Sequence, residues 1–295
     1  MKLLLLLAAL SASAQEAEVA TIVAFTEGPT ADTAGNVYFT ETTFHRIMRL
    51  SPDGKLTVFR ENSNAANGLI FDAQGRLIAC ESGKQGPRVT RTDMKTGKVE
   101  VLADNYKGEK FNAPNDVTLD QKGRIYFTDL PGGTVHRIDP GGKITRLLQR
   151  PDVQRPNGIT IAPDDKTLYL VEANQAEGGA RLLRAYDLQS DGSLKNMRVF
   201  HKFYPGRSAD GLCMDTQGNL YAAAGLNRRR GTSETLDTKA GIHVFSPQGK
   251  LLKFHPVPED TITNCTFGGP DMKTIYVTAG KTLFKIQNAI PGTGR

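Results

Sequence analysis

Short runs of alternating apolar and polar residues fill the chain, and six of them follow one pattern. In four copies the turn Asp-x-x-Gly precedes an apolar stretch, and two looser copies begin with Pro-Asp and keep the Leu/Ile-Tyr that follows. A turn of this kind between two alternating runs is typical of a β-hairpin. The copies begin at Asp32, Asp72, Asp120, Pro163, Asp215 and Pro270.

The spacing of these copies, between 40 and 55 residues, suits the four-stranded blades of a propeller. Second hairpins follow several copies, and no long helical period occurs. The sequence therefore predicts an all-β fold, a six-bladed β-propeller with a central metal channel. The sixth copy is short, so we expect the segment from Glu18 to Phe25 to supply its outermost strand.

The first residues have the layout of a secretory signal: Lys2, the apolar run Leu3 to Leu10, and a small-residue stretch that ends at Ala14. We expect residues 1–14 to be a signal peptide and residues 15–295 to form a single propeller domain, exported to the periplasm or outside the cell. The apolar run is shorter than the roughly 20 residues that span a bilayer, so no membrane anchor is predicted.

Charge and cysteine content narrow the function classes. The formal net charge is +6, but the only dense basic cluster is Arg228 to Arg230, and no basic stripe alternates with aromatic residues. Nucleic-acid binding is therefore disfavoured. The chain has three cysteines, Cys80, Cys213 and Cys265, which we interpret as isolated small core residues and not as a disulfide framework.

The central position of each copy is a tyrosine in five repeats and an isoleucine in the other: Tyr38, Ile78, Tyr126, Tyr169, Tyr221 and Tyr276. Eleven or twelve residues before it, every repeat carries a carboxylate or a carboxamide. Equivalent positions of a propeller lie at equal radius, so these side chains are predicted to form a ring at the channel mouth. One such residue is explained equally well as a turn residue, but six of six favour a ligand ring. Its members are Glu27, Asn67, Asn115, Asn157, Asp210 and Asn264.

Oxygen donors of mixed charge, with no His or Cys among them, are typical of sites for hard cations. Ca²⁺ is favoured because it tolerates irregular geometry, and Mg²⁺, Mn²⁺ and Zn²⁺ are the alternatives.

Four motifs that open blades resemble those of the senescence marker protein, gluconolactonase and luciferin-regenerating-enzyme family, and the resemblance extends from about Ala24 to Ile286. The motifs are Glu27-Gly-Pro29, Ala113-Pro-Asn-Asp116, Arg155-Pro-Asn-Gly158 and Ser208-Ala-Asp-Gly211. Two further stretches, Asn67 to Glu81 and Thr263 to Gly269, are similar to its bacterial gluconolactonase branch.

The resemblance implies that Glu27, Asn157 and Asp210 hold the metal and that Asp210 is the general base. It implies a metal-binding or substrate-binding role for Asn115, and we assign Asn67 and Asn264 to substrate. Ala113 stands where the animal branch has a substrate-binding arginine.

We therefore expect a lactone hydrolase that acts on a small aldonolactone or a similar ester, present as a monomer or a weak dimer. Two alternatives remain open from the residues alone. One is an organophosphate phosphotriesterase, and the other is a non-catalytic propeller that calcium stabilises and that binds a small ligand or a protein.

A second repeated position lies three residues after the central one. It carries carboxylates that we interpret as hydrogen-bonding groups of turns or of the channel, namely Glu41, Glu81, Asp129 and Glu172. The cluster Arg228 to Arg230 has two interpretations, a solvated loop or a cover that binds an anionic sugar.

Overall fold

The computed structural model describes residues 16–294, and the predicted signal peptide lies outside these residues. All regular elements within this range are β-strands, and no helix in it could span a membrane. Strand β1 (Glu18–Ile22) precedes the first sheet in the chain and does not belong to it. The first two sheets then comprise β2 (Thr26–Ala31), β3 (Val37–Glu41), β4 (Arg46–Leu50) and β5 (Leu56–Arg60), followed by β6 (Ala66–Phe71), β7 (Leu77–Glu81), β8 (Arg88–Thr92) and β9 (Val99–Ala103).

A small hairpin, β10 (Asn105–Tyr106) and β11 (Glu109–Lys110), precedes the third sheet. That sheet comprises β12 (Pro114–Leu119), β13 (Ile125–Asp129), β14 (Thr134–Ile138) and β15 (Ile144–Gln149), and the fourth comprises β16 (Pro156–Ile161), β17 (Thr167–Ala173), β18 (Arg181–Leu188) and β19 (Leu194–Lys202). The fifth comprises β20 (Ala209–Met214), β21 (Leu220–Ala224), β22 (Gly241–Phe245) and β23 (Leu251–Pro256). The chain ends in β24 (Ile262–Gly268), β25 (Thr274–Ala279) and β26 (Thr282–Gln287).

Six of the sheets have four antiparallel strands, and the small hairpin β10–β11 forms a separate sheet of two. The first strand in chain order is innermost in five of the six, and β24 is innermost in the last. The innermost strands pack side by side in chain order, and β24 of the last sheet packs against β2 of the first. The six sheets therefore close into a ring, and the fold is the predicted six-bladed β-propeller.

The repeated turn has a physical cause that is visible in blade 3. The Asp120 carboxylate accepts hydrogen bonds from the backbone N–H groups of Lys122 and Arg124, both at 3.0 Å, and from the Tyr126 hydroxyl at 3.0 Å. Gly123 adopts a φ of 73°, a left-handed conformation that glycine accepts readily. One carboxylate thus holds the turn and attaches it to the strand that follows, which explains why the pattern recurs.

The ring is closed by the beginning of the chain, as the sequence predicts. Strand β1 pairs antiparallel with β26, with Glu18 opposite Lys285 and Ile22 opposite Thr282. Blade 6 is therefore built from both ends of the described chain.

Buried side chains between neighbouring blades form the hydrophobic core, and the three cysteines belong to it. The prediction that all three are isolated is wrong for two of them. The sulphur atoms of Cys213 on β20 and Cys265 on β24 lie 2.9 Å apart, and both are free thiols. Sequence spacing could not show this proximity because it arises only where blades 5 and 6 pack together.

A long connection between β21 and β22 contributes Arg230 and Glu234 to a cavity that ring residues also line. Its early part is held by Asp260, whose carboxylate accepts the backbone N–H groups of Asn227 at 2.7 Å and Arg228 at 3.0 Å. Later in the connection, the backbone N–H of Thr235 donates to the carbonyl of Pro205 at 3.0 Å. These contacts place Arg230 and Glu234 beside the innermost strands.

Candidate metal and substrate site

The six predicted ring residues occupy equivalent places in the innermost strands. Five are the second residue of their strand, and Asn264 is the third. In every blade the pairing with the next strand shifts at or beside this place. Bulges of this kind change the direction of a side chain and are frequent beside functional sites. The repeat therefore builds one ring, as predicted.

Glycines after the ring residues allow the innermost strands to approach closely. A Cβ atom on Gly28 would lie 2.1 Å from the backbone oxygen of Asn67, and one on Gly158 would lie 2.3 Å from that of Asp210. On Gly211, the added atom would overlap the Asn264 amide. Any larger residue at these places would force the ring apart.

Three ring residues, Glu27, Asn157 and Asp210, line a cavity of about 140 Å³ at the channel mouth. The family resemblance assigns these three residues to the metal, with Asn115 as a further metal or substrate ligand. Asn67, Asn115 and Asn264 do not line it. A much larger cleft of about 1770 Å³ lies among the Asp-x-x-Gly turns, but it is lined by none of the ring residues.

Asp210 is held from two sides. The Asn157 amide nitrogen donates to its Oδ1 at 2.6 Å, and the Arg207 guanidinium donates to its Oδ2 at 2.5 Å. Burial raises the pKa of Asp210, and the charge of Arg207 opposes that shift. This carboxylate is therefore oriented before any ligand arrives.

Glu27 has much weaker compensation. Within the described residues, its carboxylate accepts a hydrogen bond from the backbone N–H of Gly28 at 3.2 Å. Burial raises the pKa of Glu27 well above its usual range, and the charge of Asp210 raises it further. Two buried carboxylates that repel each other are the arrangement that a bound cation relieves.

The donor set fits a hard cation. Glu27 and Asp210 supply carboxylate oxygens, and Asn157 supplies an amide oxygen once its amide group is turned so that oxygen faces the ion. Residues 16–294 contain no cluster of three or more His, Cys, Asp or Glu side chains suited to a metal, and this donor set instead combines two carboxylates with an amide.

Asp116 is a site residue that the sequence reasoning missed. It takes the place that glycine occupies after the ring residue in four other blades, and its carboxylate reaches two other innermost strands, β16 and β24. Its Oδ1 would be 2.6 Å from a Cβ on Gly68, and its Oδ2 accepts the backbone N–H of Ile159 at 3.3 Å and lies 3.5 Å from the Asn264 amide nitrogen. Burial raises the pKa of Asp116 to about 7. The available signal was a carboxylate at a glycine position in the motif Ala113 to Asp116.

The remaining ring amides differ in their environment. Asn264 is buried, and its Oδ1 accepts the backbone N–H of Cys265 at 2.8 Å. Asn67 and Asn115 are half-buried, and within the described chain no hydrogen bond to their side-chain amides is found. These two amides therefore remain available to a polar ligand near the ring.

The second repeated carboxylates bind turns, as the sequence predicts. Asp129 accepts the backbone N–H groups of Asn112 at 2.7 Å and Ala113 at 2.8 Å, just before ring residue Asn115. Glu172 accepts those of Gln154 at 3.0 Å and Arg155 at 2.9 Å, just before ring residue Asn157. Glu41 and Glu81 are also fully buried, and each pairs with arginine. In blades 3 and 4 these carboxylates thus set the start of the innermost strand.

Three arginines, Arg155, Arg207 and Arg230, also line the cavity. Of the cluster Arg228 to Arg230, only Arg230 reaches it, whereas Arg228 pairs with Asp260 at the surface and Arg229 is exposed. The solvated-loop interpretation therefore holds for Arg228 and Arg229, whereas Arg230 lies where a cover would, and its binding of an anionic sugar stays a prediction. Arg207 was not singled out, although its position three residues before Asp210 was a signal.

Comparison with known proteins decides the family. Residues 25–281 match the SMP-30/Gluconolactonase/LRE-like region. The chain belongs to this family. A gluconolactonase from Zymomonas mobilis is 27% identical over 91% of this chain and 80% of its own length, and a pentonolactonase from Haloferax volcanii is 27% identical over 82% and 76%. A solved gluconolactonase from Xanthomonas campestris is 28% identical with a TM-score of 0.76, covering 92% of this chain and 87% of that one.

These family relatives support lactone hydrolysis as the activity class. The resemblance noted from the motifs is thus confirmed at the level of the family. At this identity the substrate and the metal of this chain are matters for proposal.

Proposed function

We propose that this protein is a metal-dependent hydrolase that opens a small lactone of the aldonolactone type, with Ca²⁺ as the favoured cation. The observation that carries the proposal is the pair of buried carboxylates, Glu27 and Asp210, that share one small cavity with the Asn157 amide. A cavity of about 140 Å³ is smaller than the pockets of roughly 300–1,000 Å³ that hold drug-sized ligands, which fits a small substrate.

In this proposal Glu27, Asn157 and Asp210 hold the cation, and Asn115, from the equivalent place in blade 3, assists in binding the cation or the substrate. When bound, the cation polarises the lactone carbonyl and stabilises the negative charge that develops on its oxygen.

Asp210 would take the proton of the attacking water. The water oxygen bonds to the carbonyl carbon, the ring C–O bond breaks, and the leaving oxygen receives a proton to give a hydroxy acid. Arg207 keeps the Asp210 carboxylate charged and oriented through the 2.5 Å ion pair. Asn67 and Asn115 would contact hydroxyl groups of the substrate, and Asn264, which is buried, would support the ring beside them.

The test is hydrolysis of an aldonolactone by purified protein, measured by proton release before and after chelation, together with metal analysis. The variant Asp210→Asn should lower kcat by about a hundredfold or more, the usual effect of losing a general base. The matched control is Asp164→Asn, which changes an exposed carboxylate by the same atoms.

Full activity of the chelated protein would reject the role of the metal. An Asp210→Asn variant that is folded, loaded with metal and as active as Asp164→Asn would reject the role of Asp210. Binding of lactone without turnover by the wild type would favour the non-catalytic alternative.

We also propose that residues 1–14 direct export and that the substrate is therefore met in the periplasm or outside the cell.

A further inference from the structure

The cavity contains more positive charge than the proposed hydrolysis uses. Arg207 is engaged by Asp210, but Arg155 and Arg230 line the same cavity and form no ion pair within residues 16–294. Both are half-buried, so their guanidinium groups are partly removed from water. Buried charge without a partner is costly, and such groups are retained where they meet a ligand.

The guanidinium groups of Arg207 and Arg230, both on the blade 5 side, repel each other. Burial lowers the pKa of Arg230, and the charge of Arg207 lowers it further. The negative charges of Glu234, Asp260 and Asp210 act on the pKa of Arg230 in the opposite direction. An anion placed between these groups would relieve the repulsion.

The balance of charge changes when the metal binds. Three carboxylates, those of Glu27, Asp210 and Glu234, line the cavity together with the three guanidinium groups, so these six side chains cancel when all are charged. With a divalent cation bound, the net charge of these six side chains and the cation together would be about +2. One anionic group on the substrate then has a favourable field that a neutral sugar lactone does not use.

The arginines are held in defined positions. Arg230 donates through Nη2 to the Thr261 hydroxyl, and Arg207 donates through Nη1 to the carbonyl of Ile262 at 2.8 Å. The backbone of Arg155 is fixed by the hydrogen bond of its N–H to Glu172. Arginine that is held in this way suits bidentate recognition of a carboxylate or a phosphate.

We propose that the cavity accepts a lactone that carries a second anionic group, a carboxylate or a phosphate, which Arg230 and Arg155 bind while the ring carbonyl faces Asp210. This proposal rests on the proposed function and specifies its substrate class. The chemical feature shared by the two sources is an oxyanion at the end of the sugar chain away from the ester.

The experiment compares three lactones on the metal-loaded enzyme: a neutral aldonolactone, an aldarate monolactone with a free carboxylate, and an aldonolactone phosphate. We expect a higher kcat/KM for at least one anionic substrate, and the preferred one identifies the source of the charge. In Arg230→Gln, the ratio of the anionic to the neutral kcat/KM should fall about tenfold to a hundredfold, as for loss of one charge-assisted hydrogen bond. Arg229→Gln removes the same charge from the exposed neighbour and should keep the ratio.

Two results overturn this proposal while leaving lactone hydrolysis intact. One is a wild type that turns over the neutral lactone best, and the other is an equal ratio in Arg230→Gln and Arg229→Gln. If none of the three lactones is hydrolysed, the proposed function fails instead. Calorimetry with the open-chain aldarate and aldonate then still tests the charge preference, and equal affinities for the two would overturn it.

A separate observation concerns the two thiols between blades 5 and 6. The 2.9 Å between the Cys213 and Cys265 sulphurs is closer than an ordinary non-bonded sulphur contact, although longer than the roughly 2.05 Å of a bond. Cys80, the third thiol, is buried elsewhere, beside the carbonyl of Asp116.

We infer that Cys213 and Cys265 form a disulfide when the protein folds in the presence of a disulfide oxidant. The two thiols lose their protons and two electrons, and the oxidant disulfide is reduced to two thiols. The bond would link β20 to β24 and thus the strands that carry Asp210 and Asn264.

The test is refolding in oxidised glutathione, followed by denaturation and alkylation without reductant. We expect one alkylated thiol, that of Cys80, and three after reduction. In Cys213→Ser, two thiols should react in both conditions, and oxidation should raise the melting temperature of the wild type but not that of this variant. Three reactive thiols in the unreduced wild type would overturn the inference.

Discussion

Replacing Gly158 with alanine probes the closeness of the innermost strands without touching a ring side chain. The added Cβ would lie 2.3 Å from the backbone oxygen of Asp210 and 2.9 Å from the Cα of Gly211. Gly158 has no left-handed backbone conformation, so the effect is one of space alone. Because the obstructing atoms are backbone, no rotamer change can relieve the clash.

The magnitude follows from the distance. An ordinary contact begins at 3.4 Å, so the start of β20 must move by about 1 Å away from β16. Insertion of an atom into a packed core costs about 1–3 kcal/mol, and a backbone obstacle places this case near 3 kcal/mol. For a domain of this size each kcal/mol lowers Tm by roughly 2–4 °C, so we expect a decrease of about 6–12 °C.

The assay is thermal unfolding of metal-free protein, with Gly141→Ala as the control. Gly141 lies in a turn of blade 3, and no atom lies within 4 Å of its added Cβ, so that variant should melt within about 2 °C of the wild type. Calcium affinity should fall in Gly158→Ala because Asp210 moves. If the two alanine variants have the same Tm, the packing described for the ring is wrong.

Three further predictions test other parts of the molecule. Since burial and the Asp210 charge raise the pKa of Glu27, the metal-free protein should lose stability as pH rises from about 4.5 through that raised pKa, and Glu27→Gln should remove this loss. Between pH 5 and pH 8, the Tm of the variant should lie above that of the wild type at the alkaline end in chelator and below it in calcium. The same order of Tm values in both conditions would contradict the assignment. Glu172→Gln should weaken cation binding about tenfold through the turn before Asn157, whereas Glu41→Gln should not; equal calorimetric affinities would exclude this positioning role. Mass spectrometry of exported protein should give a chain that begins at Gln15, and a retained Met1 would contradict the signal peptide.

The fold was predictable because its signal is repeated. Each Asp-x-x-Gly turn is weak evidence alone, but four such turns and two looser copies at blade spacing leave few other architectures. The ring residues were found in the same way, since their place relative to the repeat is constant. The closing role of the Glu18 segment followed from a missing fourth strand in blade 6.

Features that break the repeat could not be found by comparing its copies. Arg230 reaches the cavity on a connection that only blade 5 has, and its neighbours Arg228 and Arg229 look the same in sequence but point elsewhere. Asp116 stands where four other copies have glycine, so a comparison of the copies gives its carboxylate no role. The contact between Cys213 and Cys265 depends on the packing of two blades that sequence spacing does not describe.

The pairing of β1 with β26 gives the ring a seam. Val19 and Ile22 are exposed along it, and the register shifts between Val19 and Thr21, so this short pair has less burial to protect its hydrogen bonds than strands inside the blades. Amide hydrogens of β1 should therefore exchange with solvent sooner than those of β25, and mechanical or thermal opening of the propeller should begin where its two ends are fastened. A permuted chain that joins these ends and starts between two other blades would move the weakest point of the circle away from blade 6.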